Sequence, residues 1–189
     1  DLRSGVGEML KAHIISGWED TRAIAADYHR IVQDRELLEK YMMRSLEIKK
    51  LKIETDEFDR AERLIMNYGH SFGHAIEAAT AYAVPHGIAV TIGMDLANYV
   101  SYRFDFASRG TFDEIHELLV KNFAGFGQSV PEAAFFDALS KDKKNVDQDL
   151  TLILIREPGN VFRTRCRDDA QLRQVCREYF QLIENAAHN

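Results

Sequence analysis

The sequence predicts a mainly α protein, a multi-helix domain with one short β-hairpin near residues 150–165. Three observations predict it. Only three prolines (Pro85, Pro131 and Pro158) interrupt 189 residues, so long stretches are free to be helical. Apolar residues recur at steps of three and four through most of the chain. A single Ile- and Leu-rich run is followed by a Pro-Gly-Asn turn and a second short run, which is a hairpin pattern.

Taken in order, Glu8 to Ile15 follows Gly5 and Gly7 and places Met9, Leu10, Ile14 and Ile15 at helical spacing. Thr21 to Gln33 repeats the pattern with Ile24, Tyr28, Ile31 and Val32. Arg35 to Lys52 sets Leu37, Leu38, Tyr41, Met42, Leu46 and Ile48 on one broad stripe. Thr55 or Asp56 suits the cap of a following helix, with Glu57 and Asp59 where the helix dipole favours carboxylates. Phe72 to Ala83 and Ile88 to Tyr102 read as two buried helices separated by a tight turn at Pro85-His86-Gly87. Further helices are expected from about Thr111 to Asn122, from Glu132 to about Lys141, and from Asp168 to Glu184. The last turns Leu172, Val175, Cys176, Tyr179 and Leu182 inward. Leu150 to Ile155 and Val161 to Arg165 form the hairpin across Glu157-Pro158-Gly159-Asn160.

The hydrophobic fraction of 46% is enough for a core, and residues 1–189 read as one domain. The net charge of -6 argues against a nucleic-acid partner, which selects a basic excess. Any anion site must then be a local basic cluster. Two cysteines, Cys166 and Cys176, are too few for a disulfide scaffold and read as reduced thiols. No leader pattern and no membrane-spanning apolar run is seen, so a cytoplasmic protein without a membrane partner is expected. The first residues read as the middle of something longer, because a motif begins almost at once.

Three of the seven histidines lie close together: His70, His74 and His86. His70 and His74 are four apart and project from one helix face. Gly69 and Gly73 remove side chains where a ligand or another backbone approaches. Pro85 and Gly87 fix His86 at a helix end. Imidazoles are common zinc ligands, and a catalytic zinc takes three protein ligands. A His-x-x-x-His pair is also often two surface histidines, and spacing alone does not choose which two of the three bind metal. Glu8 is a candidate third ligand; with Lys11 it also fits an ordinary i, i+3 ion pair. Lysine clusters at Lys49, Lys50, Lys52 and at Lys141, Lys143, Lys144 suit an anionic substrate, although a solvated helix face is the usual fate of such runs. Arg63 lies two helical turns before His70 and shares its face if the helix runs through. The remaining histidines, His13, His29, His116 and His188, read as structural or surface groups. No G-x-G-x-x-G or Walker fingerprint is present.

Together, Arg3-Ser4-Gly5-Val6-Gly7-Glu8-Met9-Leu10-Lys11, Asp56-Glu57 through Arg63, Asn67-Tyr68-Gly69-His70-Ser71-Phe72-Gly73-His74-Ala75-Ile76-Glu77, and His86-Gly87-Ile88-Ala89-Val90 with Gly93-Met94 resemble the C-terminal domain of the 3-dehydroquinate synthase family of sugar phosphate cyclases. Asp142-Lys143-Lys144 and the hairpin extend the resemblance over nearly the whole chain. It implies that Glu8, His70 and His86 are ligands of a divalent metal, zinc or cobalt. His74, Lys11 and Asn67 then match catalytic positions, and Lys49, Arg63 and Lys143 match substrate-binding ones. An N-terminal Rossmann-like domain, absent from this chain, would bind NAD, with the active site in the cleft between the two. The full-length protein would be a homodimer.

The implied reaction is an NAD-assisted cyclisation of a phosphorylated keto-sugar acid with phosphate elimination and a closing aldol step, part of the shikimate pathway. Departures from the family pattern are Ile88 after the His-Gly pair where a glutamate is common, Ser71 for threonine, and no glycine before Arg63. They keep a cyclase making another cyclitol in view. A metal-dependent polyol or alcohol dehydrogenase, and an isolated metal-binding module that turns nothing over, are the readings from other classes.

Overall fold

The computed structural model describes residues 2–55, 62–126, 129–142 and 149–187. The order is α1 (Leu2–Ser16), α2 (Trp18–Ile31), α3 (Arg35–Thr55), α4 (Glu62–Ile65), α5 (His70–Ala79), α6 (His86–Arg103), α7 (Arg109–Phe123), α8 (Glu132–Ser140), β1 (Asp149–Glu157), β2 (Asn160–Arg167) and α9 (Ala170–Ala187). The mainly α class and the single antiparallel hairpin are as expected.

Helix α6 is the centre. It is buried almost all round, from Gly87 through Met94 to Ser101, as a helix enclosed by others must be. Helices α1, α5, α7 and α9 and strand β1 pack against it. Glycines set the two closest approaches. At the crossing of α1 and α6, a Cβ on Gly7 would overlap the Gly87 carbonyl, and one on Gly87 would overlap Ser4. The Gly87 N–H donates to the Ser4 hydroxyl there, at 2.8 Å. At the crossing of α5 and α6, a Cβ on Gly73 would lie 3.0 Å from Val90 Cα, and one on Gly93 would lie 2.6 Å from Gly73 N. Gly69 and Gly73 therefore make room for another backbone rather than for a ligand. Gly69 also takes φ 79° as the cap of α5, a left-handed conformation that suits glycine.

Buried polar contacts tie further elements to α6. Asp95 accepts from Tyr179 Oη at 2.9 Å and from His116 Nδ1 at 2.7 Å. The Tyr68 hydroxyl donates to Asn98 Oδ1, which anchors the chain just ahead of Gly69. Asn122 bridges α7 to Thr91 at 2.9 Å and accepts from Tyr28 at 3.0 Å. The Arg3 guanidinium donates to the carbonyls of Lys121, Asn122 and Ala124, satisfying acceptors at the end of α7. Such bonds let buried polar groups avoid a desolvation penalty of roughly 1–3 kcal/mol each.

Several local expectations are corrected. Gly5 and Gly7 lie inside α1. His86 is the first residue of α6 rather than a turn residue, with Pro85 as its cap. The helix does not run from Arg63 through to His70: α4 stops at Ile65, and a turn carries the chain to Gly69. On α3, Tyr41 and Ile48 are buried but Met42 and Leu46 are exposed, so the predicted stripe is wider than the face that packs. Leu182 is likewise exposed, although Leu172, Val175, Cys176 and Tyr179 are buried. Helix α7 begins earlier than expected because the Ser108 hydroxyl accepts from Thr111 N at 3.0 Å. The expected cap at Thr55 or Asp56, with Glu57 and Asp59, lies outside the described residues, as does His188.

Candidate metal centre

Three elements meet where the two glycine crossings converge. Helix α1 brings Glu8 and Lys11, α5 brings His70 and His74, and α6 begins at His86. Because α1 and α5 both lie against the N-terminal half of α6, side chains 78 positions apart in sequence share one pocket. Glu8 Oε1 lies 3.7 Å from His70 Nε2 and 3.9 Å from His86 Nε2. One ring nitrogen from each of His70, His74 and His86 falls within 4.8 Å of the others. The ring centroids are 5.4 to 5.8 Å apart.

Partners on the far side of two rings set their tautomers. His86 Nδ1 lies 3.1 Å from the carboxylate of Glu77, a buried residue of α5. His70 Nδ1 lies 3.3 Å from the Tyr68 carbonyl. Both contacts favour a proton on Nδ1, which leaves both Nε2 lone pairs aimed toward Glu8. Burial, reinforced by the Lys11 ammonium, pushes the His70 imidazolium down to about 4, so the ring is neutral at ordinary pH. Neutral imidazole is the ligating form.

Glu8 and Lys11 form a close pair at 2.9 Å through Oε2. Burial raises the Glu8 carboxyl, but Lys11, with His70 and Lys49, outweighs it and holds the group below its usual range. Lys11 is buried too, which lowers its ammonium despite Glu8. The other carboxylate oxygen, Oε1, is buried and has no hydrogen-bond partner among the described residues.

That orphaned oxygen is the test of whether an ion fits. A tetrahedral zinc with bonds near 2.1 Å holds its ligand atoms roughly 3.4 Å apart. Glu8 Oε1 is within about half an ångström of that spacing from both Nε2 atoms. A buried, unpartnered carboxylate oxygen near two imidazole nitrogens is a fitting donor set for a divalent cation. His74 and His86 are exposed, whereas His70 is half-buried.

The other expected site residues divide clearly. Lys49 is half-buried and close enough to Glu8 and Lys11 to act on both charges. Asn67 sits in the turn before α5, and its carbonyl accepts from His70 N at 2.9 Å. The side chain of Arg63 and all of Lys143 lie outside the described residues. Glu77 was missed as a site residue, although a carboxylate seven positions after His70 falls two turns along the same helix. No helix among the described residues is long and apolar enough to cross a membrane.

This arrangement of helices is that of sugar-phosphate cyclase structures. 2-Deoxy-scyllo-inosose synthase, solved with carbaglucose-6-phosphate, NAD+ and Co2+, matches 94% of this chain and 52% of its own with a TM-score of 0.79 at 23% identity. The 2-epi-5-epi-valiolone synthase of Streptomyces hygroscopicus, solved with NAD+ and Zn2+, covers 98% of this chain and 51% of its own, with a TM-score of 0.74 at 17% identity. At such identities the likeness is one of fold.

The sequence comparison is more specific. The pattern of the 3-dehydroquinate synthase C-terminal family matches residues 5–145. 3-Dehydroquinate synthase of Dictyoglomus turgidum is 35% identical over 165 residues, which is 85% of this chain and 46% of that protein. The enzyme of the same name from Paracoccus denitrificans is 30% identical over 187 residues, 93% of this chain and 50% of that protein. The chain belongs to the 3-dehydroquinate synthase family, and it spans about half the length of the curated relatives it matches.

Proposed function

We propose that this chain is the metal- and substrate-binding half of a 3-dehydroquinate synthase, a carbon–oxygen lyase that cyclises a phosphorylated keto-sugar acid and eliminates phosphate. The observation that carries the proposal is the convergence of the unpartnered Glu8 Oε1 on His70 Nε2 and His86 Nε2, from three separate helices. Glu8, His70 and His86 would hold zinc or cobalt. A divalent ion there supplies Lewis acidity toward substrate hydroxyl and carbonyl oxygens. NAD, held mainly by a Rossmann-like domain outside these residues, supplies reversible hydride acceptance. The two domains are read as one cytoplasmic enzyme that acts as a homodimer.

The chain's own groups then have distinct tasks. Lys11 keeps Glu8 ionised and, buried beside it at 2.9 Å, presents a donor to whatever oxygen approaches the pair. Lys49, Arg63 and Lys143 would neutralise the carboxylate and phosphate of the substrate. His74, an exposed member of the cluster, would carry a proton to or from a substrate oxygen. Asn67 would orient a hydroxyl from the turn that leads into His70. These tasks favour charge stabilisation and proton movement over hydride transfer alone, which separates the reading from a polyol dehydrogenase.

The test uses a full-length protein containing this chain. Glu8→Ala, His70→Ala and His86→Ala are each expected to abolish stoichiometric zinc. Retention of zinc in all three would overturn the assigned ligand set. With wild type, phosphate release from the seven-carbon keto-acid phosphate is expected, and steady NADH accumulation would instead point to a dehydrogenase.

A further inference from the structure

Tyr68 is fully buried and stands two positions before His70. Its two polar ends face in different directions. Its carbonyl lies 3.3 Å from His70 Nδ1. Its phenol enters the core and donates to Asn98 Oδ1 on α6. Burial pushes that phenol well above its ordinary range, so it keeps its proton and remains a donor. The turn between is closed on itself. Tyr68 N–H donates to the Ile65 carbonyl and His70 N–H to the Asn67 carbonyl, both at 2.9 Å. Gly69 lies against α6, where an added Cβ would come within 2.8 Å of the Val90 carbonyl oxygen and 2.9 Å of Met94 N. Phenol, turn and carbonyl form a continuous path from the middle of α6 to the imidazole.

Asn98 is an unusual residue for its place. It is 1% exposed on a helix enclosed by others, and its Nδ2 has no hydrogen-bond partner among the described residues. A buried amide donor left unanswered carries its full desolvation penalty, and an apolar side chain of similar shape avoids it. Packing alone therefore favours an apolar residue there. What the amide adds is an acceptor at the point the Tyr68 hydroxyl reaches. His70, for its part, needs a fixed ring. An imidazole turned over exchanges its two nitrogens, and it is Nε2 that lies 3.7 Å from Glu8 Oε1. A carbonyl held against Nδ1 selects both the tautomer and the ring orientation.

We infer that Tyr68, clamped through its hydroxyl by Asn98, is a positioning residue for His70: the buried bond holds the carbonyl that decides which nitrogen the ring offers to a divalent ion. The inference rests on the reading of His70 as a metal ligand. It carries the support of that ligand into the core, to a point on α6 about three turns beyond His86.

A full-length protein containing this chain is used. Zinc affinity is measured by competition against a chelating dye, and stability by urea unfolding of the zinc-free protein. Tyr68→Phe keeps the ring, loses the bond, and is expected to weaken zinc binding about tenfold. Asn98→Leu removes the same bond from the other end and is expected to do the same. In the double variant both polar partners are gone, so stability should recover toward wild type while zinc stays about tenfold weak, no worse than in either single variant. A purely structural bond would not split the two readouts. Tyr179→Phe removes another buried hydroxyl from α6, where it donates to Asp95 at 2.9 Å. It should lower the urea midpoint and leave zinc affinity unchanged. If Asn98→Leu does not fold, Asn98→Ala takes its place. Wild-type zinc affinity in Tyr68→Phe, recovery of zinc affinity together with stability in the double variant, or an equal loss in Tyr179→Phe would each overturn the inference. Failure of the metal reading shows separately, because Glu8→Ala, His70→Ala and His86→Ala would then each still bind stoichiometric zinc.

Discussion

The carboxylate of Glu77 faces Nδ1 of His86, with its two oxygens at 3.2 and 3.1 Å, so a buried acid from α5 orients the ring that opens α6. Carboxylate–imidazole pairs of this kind fix ring orientation and raise ligand basicity. Glu77→Ala is expected to weaken zinc binding roughly 10- to 100-fold, and Glu77→Gln, which keeps an acceptor, by less. Competition against a zinc-chelating dye measures both. Equal affinity in wild type and Glu77→Ala would remove Glu77 from the site.

Lys11 and a metal ion compete for the same carboxylate. Lys11 Nζ is 2.9 Å from Glu8 Oε2 and 3.5 Å from His70 Nε2. Lys11→Met should therefore bind zinc at least as tightly as wild type while the full-length enzyme loses turnover by roughly 100-fold or more. Loss of zinc in this variant would mean that Lys11 builds the site structurally.

The glycines of α1 and α6 predict opposite outcomes. Gly93→Ala pushes a methyl into the backbone of Gly69 and Gly73 and is expected to cost about 1–3 kcal/mol or more. Gly5 lies within α1 with nothing inside 4 Å of an added Cβ. Gly5→Ala should stabilise the chain by about 0.5–1 kcal/mol through helix propensity. Urea unfolding of the two variants decides it.

The Asp95–His116 pair sets a pH dependence. Burial lowers the His116 imidazolium, but Asp95 at 2.7 Å outweighs this and raises it above 6.5. Burial raises the Asp95 carboxyl as well. Both groups hold a proton more tightly folded than unfolded, so the stabilisation from His116 is complete below pH 6.5 and fades as pH rises through its folded value. The urea midpoint should fall between about pH 6 and about pH 8.5, and His116→Gln should flatten that fall.

Much of the fold was legible because helical spacing and few breakers leave little else. The errors have physical causes. Met42 and Leu46 satisfy a 3.6-residue period, yet their side of α3 meets no neighbour among the described elements. Arg63 and His70 looked continuous by count, but Gly69 at φ 79° breaks the helix between them. The histidine cluster was visible in spacing, whereas the choice among ligands was not, since convergence with Glu8 depends on how α1 and α5 cross α6.

Where α5 meets α6, main chain approaches main chain at Gly69, Gly73 and Gly93. The span between the two imidazoles is thereby insulated from amino-acid exchange nearby. Residues around the opening can drift toward a differently shaped sugar while the cradle keeps its dimensions, which is how one scaffold can host a lineage of related chemistries.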